Sequence, residues 1–279
     1  MAWFTKIEVE VTPAELRIVT RSVLGRGRKF QRVPVRNTDE RAISDKGEAW
    51  VPCVQALARV LSEMHMRNAT LRLIVSDHFV RYGLLPWSEN VVRDPERAAL
   101  ARFTFKQLFG NLSDDWEIAL DEQSASQSSY AVAMDRPLLE ALRELCKVHK
   151  LRLSSIVPVF VARYNEYRRR LRGRTYCVAS VERGRLTLAF RGERGWFGVR
   201  SRRLHGSLPA ELADGLRQET ATLGVPNAGA LFLIGPEELI RRAAAIPGWS
   251  VTRLGDDSLA PSAALAESSI GNSAEQRGQ

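Results

Sequence analysis

Apolar and polar positions alternate with period two at the start of the chain and then shift to helical spacing. Residues 5–11 (TKIEVEV) and 16–22 (LRIVTRS) predict two strands joined at the turn Thr12-Pro13-Ala14-Glu15. A basic loop leads to a third strand over 31–35, where Pro34 suits a sheet edge. From about 48 to 66, Val51, Val54, Leu57, Ala58, Leu61 and Met64 recur as one face of a helix. Leu71, Leu73 and Val75 begin another strand, which the polar group Ser76-Asp77-His78 interrupts. A second extended run over 79–85 follows. Pro86-Trp87 stops it, since proline gives no N–H to a ladder.

An inserted α/β segment over about 94–135 comes next. Asp94 is the expected N-cap and Pro95 the first helical position, with Gly110 at the end. Residues 116–123 and 129–134 read as strands. A helix with the stripe Leu138, Leu142 and Leu145 and a strand over 151–157 lead to Pro158. Pro158 opens a helix to about 173, with Phe160, Tyr164, Tyr167 and Leu171 on one face. Arg163, Arg168, Arg169, Arg170 and Arg172 are expected largely off that stripe.

The remainder reads more simply. Strands over 175–181 and 185–191 meet at Glu182-Arg183-Gly184, and a third covers 195–204. A helix runs from the N-cap Ser207 to Gly224, followed by an apolar strand at 230–235, a helix at 236–246 and a strand at 249–254. The order is β-β-β-α-β-α-β. It repeats the first half once the insertion is set aside, although the two sequences are not alike. The expected division is 1–172 and 173–254, with a small, polar, disordered tail at 255–279.

This order, with the strand ending in Ser-x-His and running into VRYGLLPW before an acidic helix, resembles the PilM and GspL type of actin-like cytoplasmic protein from type IV pilus and type II secretion assembly. The resemblance covers about residues 1–254. It implies an α/β actin-like fold of two ribonuclease-H-like halves, each a mixed sheet flanked by helices. It also implies a partner, a single-pass inner-membrane protein of the assembly platform or the assembly ATPase. Phe79, Arg81, Tyr82 and Trp87 are the residues the resemblance offers for that contact.

The same resemblance says where ATP and Mg²⁺ would bind: Glu10 and Thr12 after the first strand, Glu182 and Gly184 after the first strand of the second half, and Gly235 near the last helix. The usual acidic-glycine-hydroxyl pattern is incomplete at both turns. Pro13 removes a backbone donor in the first, and aspartate is missing from the second. A degenerate nucleotide site and a non-catalytic scaffold are therefore expected. An ATP-binding relative is the alternative.

Composition narrows the rest. Hydrophobic residues make up 44% and charged ones 26%, as in globular proteins. No apolar run approaches the roughly 18 residues of a membrane span, and the opening lacks the layout of a signal peptide. A cytoplasmic protein, peripheral to the inner membrane, is expected. Cys53, Cys146 and Cys177 are far apart and lie in apolar patterns, which predicts buried thiols and no metal. Adjacent Ser76, Asp77 and His78 cannot relay a proton along one strand. His65, His78, His149 and His205 have no metal-ligand spacing. The net charge of +9 permits an acidic partner, anionic lipid or nucleic acid. Arg26, Arg28, Lys29, Arg168, Arg169 and Arg170 form the basic patches that could serve the last two.

Overall fold

The computed structural model describes residues 5–22, 28–35, 49–64, 69–89, 91, 93–121, 126–171, 173, 175–241, 243 and 245–255. The expected tail from 256 onward and Arg26 lie outside the described residues. Strands β1 (Thr5–Val11), β2 (Glu15–Ser22), β3 (Arg28–Pro34), β4 (Thr70–Val75) and β8 (Arg152–Pro158) form one sheet in the order β3-β2-β1-β4-β8. The first three are antiparallel neighbours, and β4 and β8 join in parallel. Pro34 does fall on an edge strand, where its missing N–H breaks no inner ladder.

The same order and sense recur in the second sheet, β11-β10-β9-β12-β13. Its strands are β9 (Tyr176–Glu182), β10 (Arg185–Gly192), β11 (Gly195–Arg203), β12 (Gly229–Gly235) and β13 (Trp249–Gly255). Helices α1 (Val51–Met64) and α3 (Arg136–Val148) cover one face of the first sheet. Their Leu57, Leu61, Leu138 and Leu142 pack on Ile7, Val9, Leu71 and Leu73. In the second sheet α5 (Leu208–Leu223) and α6 (Glu237–Ile240) do the same through Leu212, Leu216 and Ile240. Helix α4 (Val159–Tyr167) leaves β8 and meets both β4 and β9, so it connects the two sheets physically. The three cysteines are free and buried, and burial pushes the Cys53 thiol up to about 12.

The inserted unit is larger than 94–135. Strand β5 (Val80–Leu85) belongs to it, paired with β7 (Ser129–Asp135), with β6 (Trp116–Leu120) beyond. Helix α2 (Asp94–Phe109) and a 3-10 turn (Gly110–Asp115) cover this small sheet. Gly83 lets the helix approach, since a Cβ there would stand 3.1 Å from the Phe105 ring. The α2 N-cap is Arg93 rather than Asp94, and its backbone N–H donates to Glu96 Oε2 at 3.2 Å. Two expected helices are shorter than their sequence pattern. Helix α4 ends at Tyr167, and α6 makes barely one turn before the chain turns back to β13.

Trp196 of β11 joins these parts. It is 1% exposed, with ring centroids 4.9 Å from Tyr164, 5.4 Å from Tyr130 and 6.1 Å from Phe160. Its backbone N–H donates to Ser128 O at 3.4 Å, and Ser128 Oγ donates to its carbonyl. One ring therefore touches α4, the inserted sheet and the second sheet. Trp196→Ala is expected to destabilise the protein by about 3–5 kcal/mol. Urea denaturation followed by circular dichroism checks this, and a loss below about 1 kcal/mol would show that the halves are held together elsewhere.

Candidate functional site

Strands β1 and β9 hold corresponding places in the two sheets, and each carries a glutamate near its end. Side chains on β9 alternate. Cys177, Ala179 and Val181 enter the core under α5 and α6, while Ser180 and Glu182 face the first half. On β1, Ile7, Val9 and Val11 point to α1 and α3, which leaves Glu8 and Glu10 on the face towards α4.

Arg163 projects from α4 into the space between these strands. It is 4% exposed. Its Nη1 donates to Ser180 Oγ at 3.1 Å and to the Val181 carbonyl at 2.8 Å, and its Nη2 lies 3.8 Å from Glu10 Oε1. Arg17 Nη1 stands 3.7 Å from the other oxygen of Glu10. One guanidinium from the connecting helix thus ties the end of β1 to the end of β9. The periodicity placed Arg163 off the apolar stripe, and the structure corrects that. Phe160, Arg163 and Tyr167 share one broad face of α4, and all three are buried.

A second network crosses the same seam from the loop after β4. Asp77 is 1% exposed. Its backbone N–H donates to Glu182 Oε1 at 2.9 Å. Its Oδ1 accepts from Tyr82 Oη at 2.7 Å and from Phe160 N at 3.3 Å, and its Oδ2 accepts from Thr187 Oγ1 at 2.8 Å. The imidazole of His78 meets the Arg183 carbonyl through Nε2 at 3.1 Å, beside Gly184 in its turn with φ +74°. Sequence reasoning dismissed Ser76-Asp77-His78 as a triad and gave Asp77 no other role. The available signal was an acid two residues after a strand whose inward positions are all apolar.

The nucleotide residues implied by the resemblance are therefore engaged with protein groups. Glu10 and Glu182 hold Arg163 and Asp77. The Thr12 hydroxyl closes its own turn, donating to the Glu15 carbonyl at 2.7 Å and accepting from Glu15 N at 3.1 Å. A Cβ on Gly235 would lie 2.7 Å from the Val181 carbonyl, so this glycine serves strand packing. Of the four residues offered for a partner, Phe79 and Tyr82 are buried, whereas Arg81 and Trp87 are exposed. Arg168, Arg169, Arg170 and Lys29 are also exposed. The side chain of Arg28 lies outside the described residues. Among the described residues no group of three His, Cys, Asp or Glu could hold a metal ion.

A groove of about 250 Å³ lies between the inserted unit and the first half. Ala119, Val132, Met134, Leu139, Ile156 and Val161 give it an apolar lining, with Glu117 and Asp121 beside them. Strands β6 and β8, which flank it, are each the last strand of their sheet. Sequence reasoning missed this groove because its walls come from segments up to about 40 residues apart, each of which reads as ordinary core.

Burial raises the Asp77 carboxyl to about 7, helped by the neighbouring Glu182 and opposed by its three donors. Burial, with Arg185 next in effect, lowers His78 to about 4. The signs oppose each other. The folded state holds the Asp77 proton more tightly, so that contribution is present in acid and is lost as pH rises through 7. The folded state holds a His78 proton less tightly, so that contribution grows as pH rises from 4. Asp77→Asn should leave only the His78 effect, with stability rising from about pH 4.5 to about pH 6.5. His78→Gln should leave a fall over the same interval, neither slope exceeding about 1.4 kcal/mol per pH unit. Urea denaturation across this range is the check, and identical slopes in both variants would refute the assignment.

No protein-family model matches the sequence, and no curated protein matches it either. Solved structures do match. The PilM-PilN type IV pilus biogenesis complex aligns with TM-score 0.61 and 14% identity over 91% of this chain and 89% of that one. A Bacteroides thetaiotaomicron VPI-5482 protein with an actin-like ATPase fold and unknown function gives 0.59 and 10%, over 90% and 91%. The cytoplasmic domain of EpsL, an inner-membrane component of the Vibrio cholerae type II secretion system, gives 0.53 and 11%, over 90% and 89%. At such identities the likeness is one of backbone architecture alone. The chain has the actin-like fold.

Proposed function

We propose that this chain is a non-catalytic scaffold on the cytoplasmic side of a type IV pilus or type II secretion assembly platform, binding a membrane-anchored partner. The observation that carries the first part is Arg163. In an actin-like fold the phosphates lie between the turns after the first strand of each half, and here a buried guanidinium bridges those strand ends directly. A nucleotide there would have to displace an arginine held by Glu10, Ser180 and Val181, and would take from the buried Glu10 one of its two arginine neighbours.

The groove supports the second part. Its apolar floor and the two strands that, among the described residues, end their sheets suit an extended peptide that adds main-chain hydrogen bonds to β6 or β8. Glu117 and Asp121 favour a peptide with basic flanks, which is the composition of cytoplasmic segments next to a membrane span. The structural likeness to a PilM-PilN complex and to an inner-membrane component of a secretion system agrees with such a partner. Among the described residues no helix is long and apolar enough to cross a membrane, so a separate anchored protein would supply the attachment. Arg81, opposite Ala133, stands on the other face of the inserted sheet from the groove, and Arg168, Arg169 and Arg170 suit anionic lipid.

The nucleic-acid reading is weaker. The aromatics beside those arginines are turned inward, Tyr167 buried and Tyr164 against Trp196, so the patch offers no stacking platform. Retained ATP binding is the reading to test. Calorimetry with ATP at millimolar concentration is expected to show no saturable heat that depends on Mg²⁺, and micromolar Mg²⁺-dependent binding would overturn the scaffold reading. A synthetic extended peptide with an apolar centre and basic flanks, the composition of a juxtamembrane segment, is the probe for the groove. Val132→Asp is expected to weaken its binding about tenfold or more by placing a charge on the apolar floor. Unchanged affinity in that variant would move the partner to another surface.

A further inference from the structure

On the reading of the groove as a peptide site, we propose that the peptide pairs with β6 and that Glu117, Ala119 and Asp121 set its sequence. They select basic side chains at two positions four residues apart, with a large apolar side chain midway between them.

Of the two strands beside the groove, β6 has the regular edge. It pairs with β7 residue by residue, from Trp116 opposite Asp135 to Leu120 opposite Ala131, with no shift of register. Strand β8 slips against β4 between Leu71 and Arg72, where Ser154 is the extra residue and its Oγ donates to the Leu71 carbonyl at 2.9 Å. Such a bulge bends a strand and blunts its edge. Strand β8 also ends in Pro158, which has no N–H to give a new neighbour.

The parity of the β6 ladder decides which groups face outward. Asp121 N donates to the Tyr130 carbonyl at 3.0 Å, and in an antiparallel pair such residues alternate. Glu117, Ala119 and Asp121 therefore bond towards β7, and the backbone groups of Ile118 and Leu120 point to the side that β7 does not occupy. An antiparallel strand added there bonds to Ile118 and Leu120. Glu117, Ala119 and Asp121 then take the places without hydrogen bonds, where opposed Cα atoms are about 4.5 Å apart and side chains lie closest.

These three residues are also the ones that line the groove, whereas Trp116, Ile118 and Leu120 pack on the side of Phe105 and α2. Glu117 and Ala119 are exposed and Asp121 is half-buried. Four steps along a strand separate the two carboxylates by about 13 Å, more than a Debye length at physiological salt, so each acts on the residue opposite to it. Between them Ala119 has no side chain beyond Cβ, and Val132, Leu139 and Ile156 surround that place with apolar surface. The segment selected is thus a lysine or arginine, any residue, a leucine or similar, any residue, and a second lysine or arginine. This order reads the same in both directions.

Fluorescence anisotropy with two labelled peptides of one composition tests this. One has the core Lys-Thr-Leu-Thr-Lys and the other Thr-Lys-Leu-Lys-Thr, so only the face that carries the lysines differs. The first is expected to bind about threefold or more tighter, because opposed charges on paired strands each add a modest amount. Glu117→Gln should narrow that preference and change the second peptide little. Ala119→Leu should weaken both by filling the place of the peptide leucine. Equal affinity of the two peptides, or a preference unchanged by Glu117→Gln, overturns the register and leaves the groove a peptide site. Weakening by Val132→Asp without any by Ala119→Leu moves the peptide to β8 and overturns it as well. Binding of neither peptide at millimolar concentration overturns the register and the groove together.

Discussion

A guanidinium removed from water must be neutralised where it lies, and the folded state forms only if the neutralising groups arrive together. Arg163 meets that condition with three groups from two strands: the carboxylate of Glu10 on β1, and the hydroxyl of Ser180 and carbonyl of Val181 on β9. The two strands are far apart in sequence and belong to different sheets. The relative position of the two sheets is therefore fixed by one side chain on the helix that connects them. Asp77 repeats the device from the opposite side, with Glu182 and Thr187 as its partners in the second half. Between the two networks lie Phe160 and Trp196, whose packing depends on the sheets being held at that distance.

In this fold a cleft between two halves can close in two ways. A ligand that contacts both sides closes it when bound and frees it on leaving, so the state of the cleft reports the ligand. Side chains that contact both sides close it permanently. Glu10 and Glu182 occupy strand ends where charged groups facing a ligand would be expected, yet each faces a donor of this chain instead. The same carboxylates that could orient a metal-bound nucleotide thereby act as structural acceptors. Local sequence had already weakened the alternative, because Pro13 supplies no N–H to the first turn and Thr12 folds its hydroxyl back onto Glu15.

The fold was legible because it is written in local periods. Alternation over 5–11, 176–182 and their neighbours gives strands, and the repeated order of strands and helices gives two sheets of one topology. Pairing was harder to read. Strand β5 looked like a continuation of β4, since only tertiary pairing with β7 sends it into the inserted sheet. Helix ends were overestimated at α4 and α6, where arginines and alanines continue the helical pattern after the packing surface has ended. The candidate sites were largely illegible for the same reason. Glu10 and Glu182 could be named from position alone, but their partner Arg163 stood among four other arginines of the same segment. Burial, which sets it apart, is a property of the assembled halves.

Arginine content was the least informative feature of the sequence and becomes one of the more informative features of the structure. Arg168, Arg169 and Arg170 are solvated at the end of α4, where the helix dipole favours cations without any partner. Arg163, five residues earlier than Arg168, is buried and fully engaged. Arg185 is buried too, but its Nε is left without an acceptor. The three cases differ in desolvation and in available acceptors, not in residue type. A solvated guanidinium requires nothing of its neighbours, a buried and paired one fixes them, and a buried one with an unmet donor carries a desolvation cost that its carboxylate neighbours Glu182 and Asp77 offset only in part.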